Sequence, residues 1–214
     1  MVYYIFMKKE TKLNLGSGPA SATGWTNYDW GLLPFLGKYR LASIFIKWGL
    51  LPKEYDWRWP GIELVNIRGK LPNKDKSVDY IYCSHVLEHF EKYEAVNILK
   101  ECRRILKDKG LIRIVLPDLR KIIDNYSDAN NFNREYFGFD KDLYIGFIGK
   151  LKRLFIRSHE WMYDVDLAVN LLKEAGFKNV KVFSYKKGKV PNLGKLDLEQ
   201  HQKISLYLEA GNKP

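Results

Sequence analysis

Apolar and polar positions change their spacing along the chain, from alternation by twos to a recurrence near every third or fourth residue. TKLNLGSG reads as a strand running into a glycine turn, GIELVNI as a short strand, and SVDYIYCS as a strand rich in β-branched and aromatic residues. From Glu91 to Lys107, Tyr93, Val96, Ile98, Leu99, Cys102 and Leu106 recur at helical spacing, which predicts a helix. KDKG is expected to end it, with two lysines near its C-terminus and a glycine beyond. LIRIVLP predicts the next strand, closed by Pro117. Asp164 to Ala175 reads as a helix stopped by Gly176, and NVKVFSY and KISLYLEA as two final strands joined by a basic loop. Strands alternating with helices point to an α/β fold.

Two segments interrupt the rhythm. Residues 31–60 contain a helical stripe of Leu41, Ile44, Phe45 and Trp48. Residues 120–157 contain a second, of Leu143, Phe147, Leu151 and Leu154, with Lys150, Lys152 and Arg153 off that face. Each is basic, amphipathic and aromatic-rich, so each is a helix packed on the domain, a lid over an acceptor pocket, or a surface resting on lipid headgroups. The N-terminal VYYIFM is too short for a signal-peptide core and reads as a strand or ordered arm.

Length and charge narrow the picture. A chain of 214 residues fits one domain, 1–214, carrying the two insertions. No run of 18 apolar residues occurs, so no transmembrane helix is expected. Two cysteines, Cys83 and Cys102, argue against a disulfide scaffold and a thiolate zinc site, and for a reducing, cytoplasmic setting. A net charge of +11 favours an anionic partner: nucleic acid, a phosphorylated glycan or an acidic membrane face.

The first candidate chemistry is the glycine turn. Gly16 and Gly18 at the end of a strand free the backbone for a close approach by a ligand. Ser21 stands where a dinucleotide fingerprint needs its third glycine, and Asp29 follows Gly18 by only eleven residues. A nicotinamide dinucleotide is therefore disfavoured. A nucleoside fits better, with a carboxylate such as Asp29 accepting hydrogen bonds from ribose hydroxyls. Asp29 could instead cap the following helix.

In order, the chain presents KLNLGSGP, GWTNYD, LPNKDKSVDYIYCSHVLEH, a helix ending RRILKDKG, LIRIVLPDL and HEWMYD…LLKEAGF. This ordered set resembles class I S-adenosylmethionine-dependent methyltransferases of the type-11 group. More narrowly, it is similar to small predicted methyltransferases tied to cell-surface glycan synthesis. The resemblance covers residues 11–119 and 158–185. It implies a Rossmann-like α/β fold: a mostly parallel seven-stranded sheet, helices on both faces, and an antiparallel last strand. It also implies S-adenosyl-L-methionine as cofactor. By the same resemblance Asn14, Gly16, Ser17 and Gly18 line the methionine and ribose end, Asp29 holds the ribose hydroxyls, and Asn66 and Ile67 meet adenine. Ser84 and His85 lie beneath the methyl group, and Leu87, Glu88 and His89 match the LEH that opens the next helix. Two departures stand out: many relatives carry an acid at the position of Asn14 and an aspartate at that of Asn66. An amide adds no negative charge opposite a cationic cofactor.

SHVLEHF also spells H-x-x-E-H over His85–His89, the pattern of an inverted zinc hydrolase helix. His85 directly follows a strand, however, so the two histidines need not share a helical face, and no metal is expected. Glu88 instead complements a positive helix start and His89 bonds locally. Methyl transfer to a hydroxyl needs a base. His159 is the first candidate, then His85 and Asp118. The remaining histidine, His201, lies in a polar loop and receives no role. The leading expectation is a methyltransferase for a small-molecule or glycan-like acceptor, anionic or lipid-linked, with a peripheral contact to an anionic membrane as a further partner. An RNA methyltransferase is the alternative, weakened by the lack of a recognisable RNA-binding module. A non-catalytic binding module of a glycan assembly complex is the third.

Overall fold

The computed structural model describes residues 10–19, 22–51, 53, 56, 59, 61–137 and 159–213. Seven strands form one sheet: β1 Lys12–Leu15, β2 Thr26–Asp29, β3 Ile62–Leu64, β4 Val78–Ser84, β5 Leu106–Pro117, β6 Lys178–Phe183 and β7 Ser205–Gly211. Their order is β3-β2-β1-β4-β5-β7-β6. The pairs among β1 to β5 are parallel, and β7 runs antiparallel to both β5 and β6. The expected mostly parallel, seven-stranded Rossmann-like sheet with an antiparallel last strand is what forms. The strand order reverses between β1 and β4, and the carboxyl ends of β1 to β5 share one edge.

Alternation along each strand sorts the two faces. Ile112, Ile114 and Leu116 of β5, with Leu206, Leu208 and Ala210 of β7, point into the main core. That face is covered by α3, Lys92–Ile105, and α6, Val165–Glu174. The α3 stripe buries Val96, Ile98, Leu99 and Cys102, as its spacing predicts. Asp164 caps α6 by accepting from the Leu167 N–H at 2.8 Å, and Gly176 leaves it with φ +92°.

The other face carries Trp25, Tyr82, Val115 and Tyr207 beneath Val190 and the short helix α7, Leu193–Leu196. Here Arg113 is wholly buried between two acids. Its guanidinium donates to Asp197 at 2.6 and 3.1 Å, to Glu209 at 3.2 Å and to the Lys187 carbonyl at 3.0 Å. The two carboxylates also accept from the Lys186, Lys189 and Val190 backbone, and the Tyr82 hydroxyl donates to Asp197. A buried ion pair is stabilising relative to its broken form only when its remaining atoms are bonded, and here they are.

Three sequence expectations need revision. KDKG is no turn: α3 ends at Ile105 and the chain enters β5 at once, with a register shift opposite Val78–Tyr80. Charges hold this stretch extended, with Lys107 on Asp79 at 2.5 Å and Asp108 between Lys76 and Lys213. Leu87–His89 forms a single 3-10 turn rather than opening the helix, which begins at Lys92. The first basic insertion folds as α1, Leu32–Lys38, and α2, Ala42–Lys47. Leu36, Ala42 and Leu51 make a small core of their own, against which Leu41 and Phe45 lean, while Ile44 and Trp48 stay exposed. Two more helices, α4 Leu119–Asp124 and α5 Ala129–Phe137, follow β5. The stripe over 143–154 and the N-terminal VYYIFM lie outside the described residues. Among the described residues no helix is long and apolar enough to cross a membrane.

Replacing Arg113 by Ala should strand Asp197 and Glu209 in the core and cost about 3–5 kcal/mol. Urea denaturation followed by circular dichroism measures that loss, and an unchanged midpoint would show the network to be energetically idle.

Candidate functional site

At the carboxyl edge of β1 the chain turns through Gly16, φ +62°, and Gly18, φ +58°. A Cβ on Gly16 would lie 2.2 Å from Val86 Cγ2, so the turn after β1 touches the turn after β4 and admits no side chain there. The Gly16 and Ser17 N–H groups both donate to the Tyr28 carbonyl, at 2.8 and 3.2 Å, tying the turn to β2. A Cβ on Gly18 would meet nothing within 4 Å, so space opens at this point. The Gly18 N–H donates to Asp29 Oδ2 at 2.9 Å, and the Trp30 N–H to Oδ1 at 2.7 Å. Asp29 is half-buried at the rim. It does not cap α1, whose N-cap is Gly31.

The other residues expected at the site fall around this turn unevenly. Asn14 lies beneath it, buried, and donates to Asn27 Oδ1 at 3.1 Å. Asn27 in turn holds the Ala22 and Trp25 backbone, so Asn14 belongs to the clamp that sets Trp25 into the core. Asn66, exposed, follows β3 and accepts from the Arg68 N–H at 3.1 Å, while Ile67 is buried. The Val65 N–H donates to the Asp29 carbonyl at 2.9 Å, which carries β3 to the same edge. Ser84 ends β4 and is half-buried.

His85 follows in a left-handed conformation, φ +53°, which a non-glycine residue holds only under constraint. The constraints are visible. Its Nε2 lies 2.8 Å from Ser205 Oγ, its Nδ1 3.3 Å from Glu88 Oε1, and its ring stacks on His201 at 3.8 Å. His89 turns the other way, with its ring 5.0 Å from that of His159. The Glu160 and Trp161 N–H groups donate to the Glu88 carbonyl at 2.8 and 3.1 Å, fastening segment 159–161 to the turn. All four histidines of the chain thus surround Glu88, whose side chain is wholly buried. Asp118 is buried and caps α4 by accepting from the Arg120 N–H at 3.1 Å, with Lys121 Nζ at 3.7 Å.

A family model described as a methyltransferase domain matches residues 53–114, from the end of the first insertion into β5. Three solved structures share the fold at low identity. A Thermotoga maritima S-adenosylmethionine-dependent methyltransferase, described as a possible histamine N-methyltransferase, superposes with a TM-score of 0.53 at 15% identity, covering 97% of this chain and 84% of its own. Human N-acetylserotonin methyltransferase in complex with S-adenosylmethionine gives 0.51 at 14%, covering 95% and 48%. PigF with S-adenosylhomocysteine gives 0.50 at 14%, covering 99% and 58%. The chain is therefore similar to S-adenosylmethionine-dependent methyltransferases over residues 53–114 in sequence and over most of its length in fold. No curated protein matches it in sequence.

The carboxyl edge leaves room for a nucleoside cofactor at one point. The open space at Gly18 and the half-buried Asp29 beside it form a cradle that a side chain at Gly18 would narrow. A groove of about 580 Å³ lies elsewhere, lined by Asp108, Lys109, Lys181 and Lys213 at the amino end of β5, and takes no part in this edge.

Electrostatics divide the histidine cluster. Burial by itself would raise the Glu88 pKa, but the contact with His85 and the charges of His85 and His89 hold it below the ordinary carboxylate value. Burial pushes His159 down from the ordinary 6.5 to about 4, with Glu88 pulling the other way. His201 is lowered to about 4 by burial and by His85, against Glu88 and Asp197. His159 is therefore neutral near pH 7 and a weak proton acceptor. Sequence reasoning missed both His201 and the burial of Glu88. Only the return of β7 beside β5 brings residue 201 to the end of β4, and no local pattern carries that.

The sign for stability follows. Between pH 6.5 and about 4 the unfolded chain binds protons that His159 and His201 refuse in the fold, so stability present above 6.5 is lost as pH falls. Melting temperature should drop by a few degrees between about pH 7 and 5, above the carboxylate range, and a His159→Gln variant should lose part of that dependence. A pH-independent melting temperature over this window would contradict neutral buried rings.

Proposed function

We propose that the methyltransferase transfers a methyl group to an oxygen of a small-molecule or glycan-like acceptor of anionic character. The reading is carried by one observation: Asp29, bonded to the Gly18 N–H at 2.9 Å, stands beside open space at the carboxyl edge of a methyltransferase fold. Gly16, Ser17, Gly18 and Asp29 would hold the adenosyl and methionine portions, with Asn66 and Ile67 at the adenine end. When bound, S-adenosylmethionine supplies a methyl group already activated on a sulfonium. The protein's share is alignment of the acceptor and removal of its proton.

Of the three candidate bases, His85 is best placed. It follows β4 next to Ser84, with its Nδ1 3.3 Å from Glu88 Oε1. Asp118 is engaged as a helix cap, and His159 is held neutral by burial. The acceptor class is supported by the first insertion. Trp30, Phe35, Tyr39 and Trp48 are exposed there, each more than 40%, with Arg40 and Lys47 exposed among them. Flat aromatic faces with neighbouring cations suit an anionic sugar, which offers apolar ring faces and charge together.

Two measurements test this. Asp29→Ala should weaken S-adenosylmethionine binding roughly ten- to a hundredfold by calorimetry, the value of a buried charge-assisted hydrogen bond. Unchanged affinity would overturn the assignment of the ribose site. Incubation with methyl-labelled cofactor and a cell extract should place label in the carbohydrate fraction, and label confined to RNA would replace this acceptor class by the nucleic-acid one.

A further inference from the structure

We propose that Glu88, His89 and His159 form a binding site for a divalent first-row transition cation of the zinc type. One ligand atom from each of the three lies within 4.8 Å of the other two. The 3-10 turn Leu87–His89 supplies two of them, and the segment 159–161 supplies the third, fastened there by the Glu160 and Trp161 N–H bonds to the Glu88 carbonyl. Two imidazoles and one carboxylate are a donor set typical of zinc with an open position, and of other imidazole-binding divalent metals.

The independent observation is Glu88 itself. Its side chain is wholly buried, and neither carboxylate oxygen has a hydrogen-bond partner among the described residues. His85 Nδ1 lies 3.3 Å and His159 Nε2 4.0 Å from Oε1, neither in hydrogen-bond alignment. His159 Nδ1 is likewise buried and unbonded. A carboxylate sealed from water without donors is destabilising. The contrast within the same molecule is informative: Asp197 and Glu209, equally buried, each accept several hydrogen bonds. A cation on Glu88 would supply the missing partner. Tetrahedral zinc with bonds of about 2.0–2.1 Å spaces its ligand atoms by roughly 3.4 Å, so the trio needs to close by at most about 1.4 Å, within reach of side-chain torsions. His85 is not part of the set. It is turned onto Ser205 and His201, so the H-x-x-E-H spacing finds its metal partner in His159 rather than in its own first histidine.

Calorimetry on the chelator-treated full chain, without cofactor, should show one zinc or cobalt(II) ion bound per chain, and cobalt should develop visible d–d absorption. His159→Ala and Glu88→Gln should each weaken binding tenfold or more, while His201→Ala should bind as the parent does. Should Glu88→Gln fail to fold, His159→Ala and the cobalt spectrum of the parent decide alone. No binding, binding unchanged in His159→Ala, or binding lost in His201→Ala but kept in His159→Ala would overturn the proposal. Because the assay contains no S-adenosylmethionine, its failure would leave the methyltransferase reading untouched.

Discussion

Gly16 can carry no side chain, and much of the edge follows from that. Where the strand order reverses, the turns leaving β1 and β4 belong to separate crossovers, yet here they press together so closely that a Cβ would fall 2.2 Å from Val86. The contact pushes the first turn toward β2, where the Tyr28 carbonyl collects two of its N–H groups. It thereby brings the Gly18 N–H to Asp29. On the opposite side the same contact positions Val86, the residue after His85 and two before Glu88. The rim acid and the buried histidine cluster are thus set by one packing constraint, read in two directions.

Two buried charge systems show how differently such groups are kept. Arg113, Asp197 and Glu209 lie on one face of the sheet, and backbone N–H groups and the Tyr82 hydroxyl meet the acceptor atoms that the guanidinium leaves. That system organises the segment between β6 and β7 and fills the second core. Glu88 lies at the strand ends, surrounded by imidazoles at 3.3 to 4.0 Å. Satisfied networks rigidify, whereas under-satisfied ones carry stored electrostatic free energy that a ligand can release. Their positions agree with this division: one lies under a loop far from the glycine turn, the other at the edge where the strands end.

The sheet was legible because its signals are local. Alternation in SVDYIYCS, the helical stripe from Tyr93 to Cys102, and the Asp164 and Gly176 stops each act within a few residues. KDKG was misread because its fate depends on partners distant in sequence: Asp79, Lys76 and Lys213 hold it extended. The glycine turn and Asp29 were read together from the sequence, and the Gly18 N–H does donate to Asp29. Glu88 was not. In sequence it is an acid before a helix, and only the return of residues 159–161 across its carbonyl and of His201 from the β7 side makes it a buried centre. Asn14, placed by resemblance at the ligand, is bonded to Asn27 on the neighbouring strand, a contact no local pattern carries.

Net charge misleads if it is read as the charge of the site. The excess of +11 comes from 36 Lys and Arg over 25 Asp and Glu, and most of the described lysines are exposed. The carboxyl edge has the opposite local character, with Asp29 at the rim, Asp118 buried after β5 and Glu88 buried after β4. Field strength depends on distance and burial far more than on the total, because surface charges are screened over about 10 Å. A cationic sulfonium at this edge therefore meets an acidic neighbourhood despite the sign of the whole protein. The proposed anionic acceptor and a cationic donor can thus be drawn by the same protein without competing, provided the acids stay at the strand ends and the basic excess stays outside them.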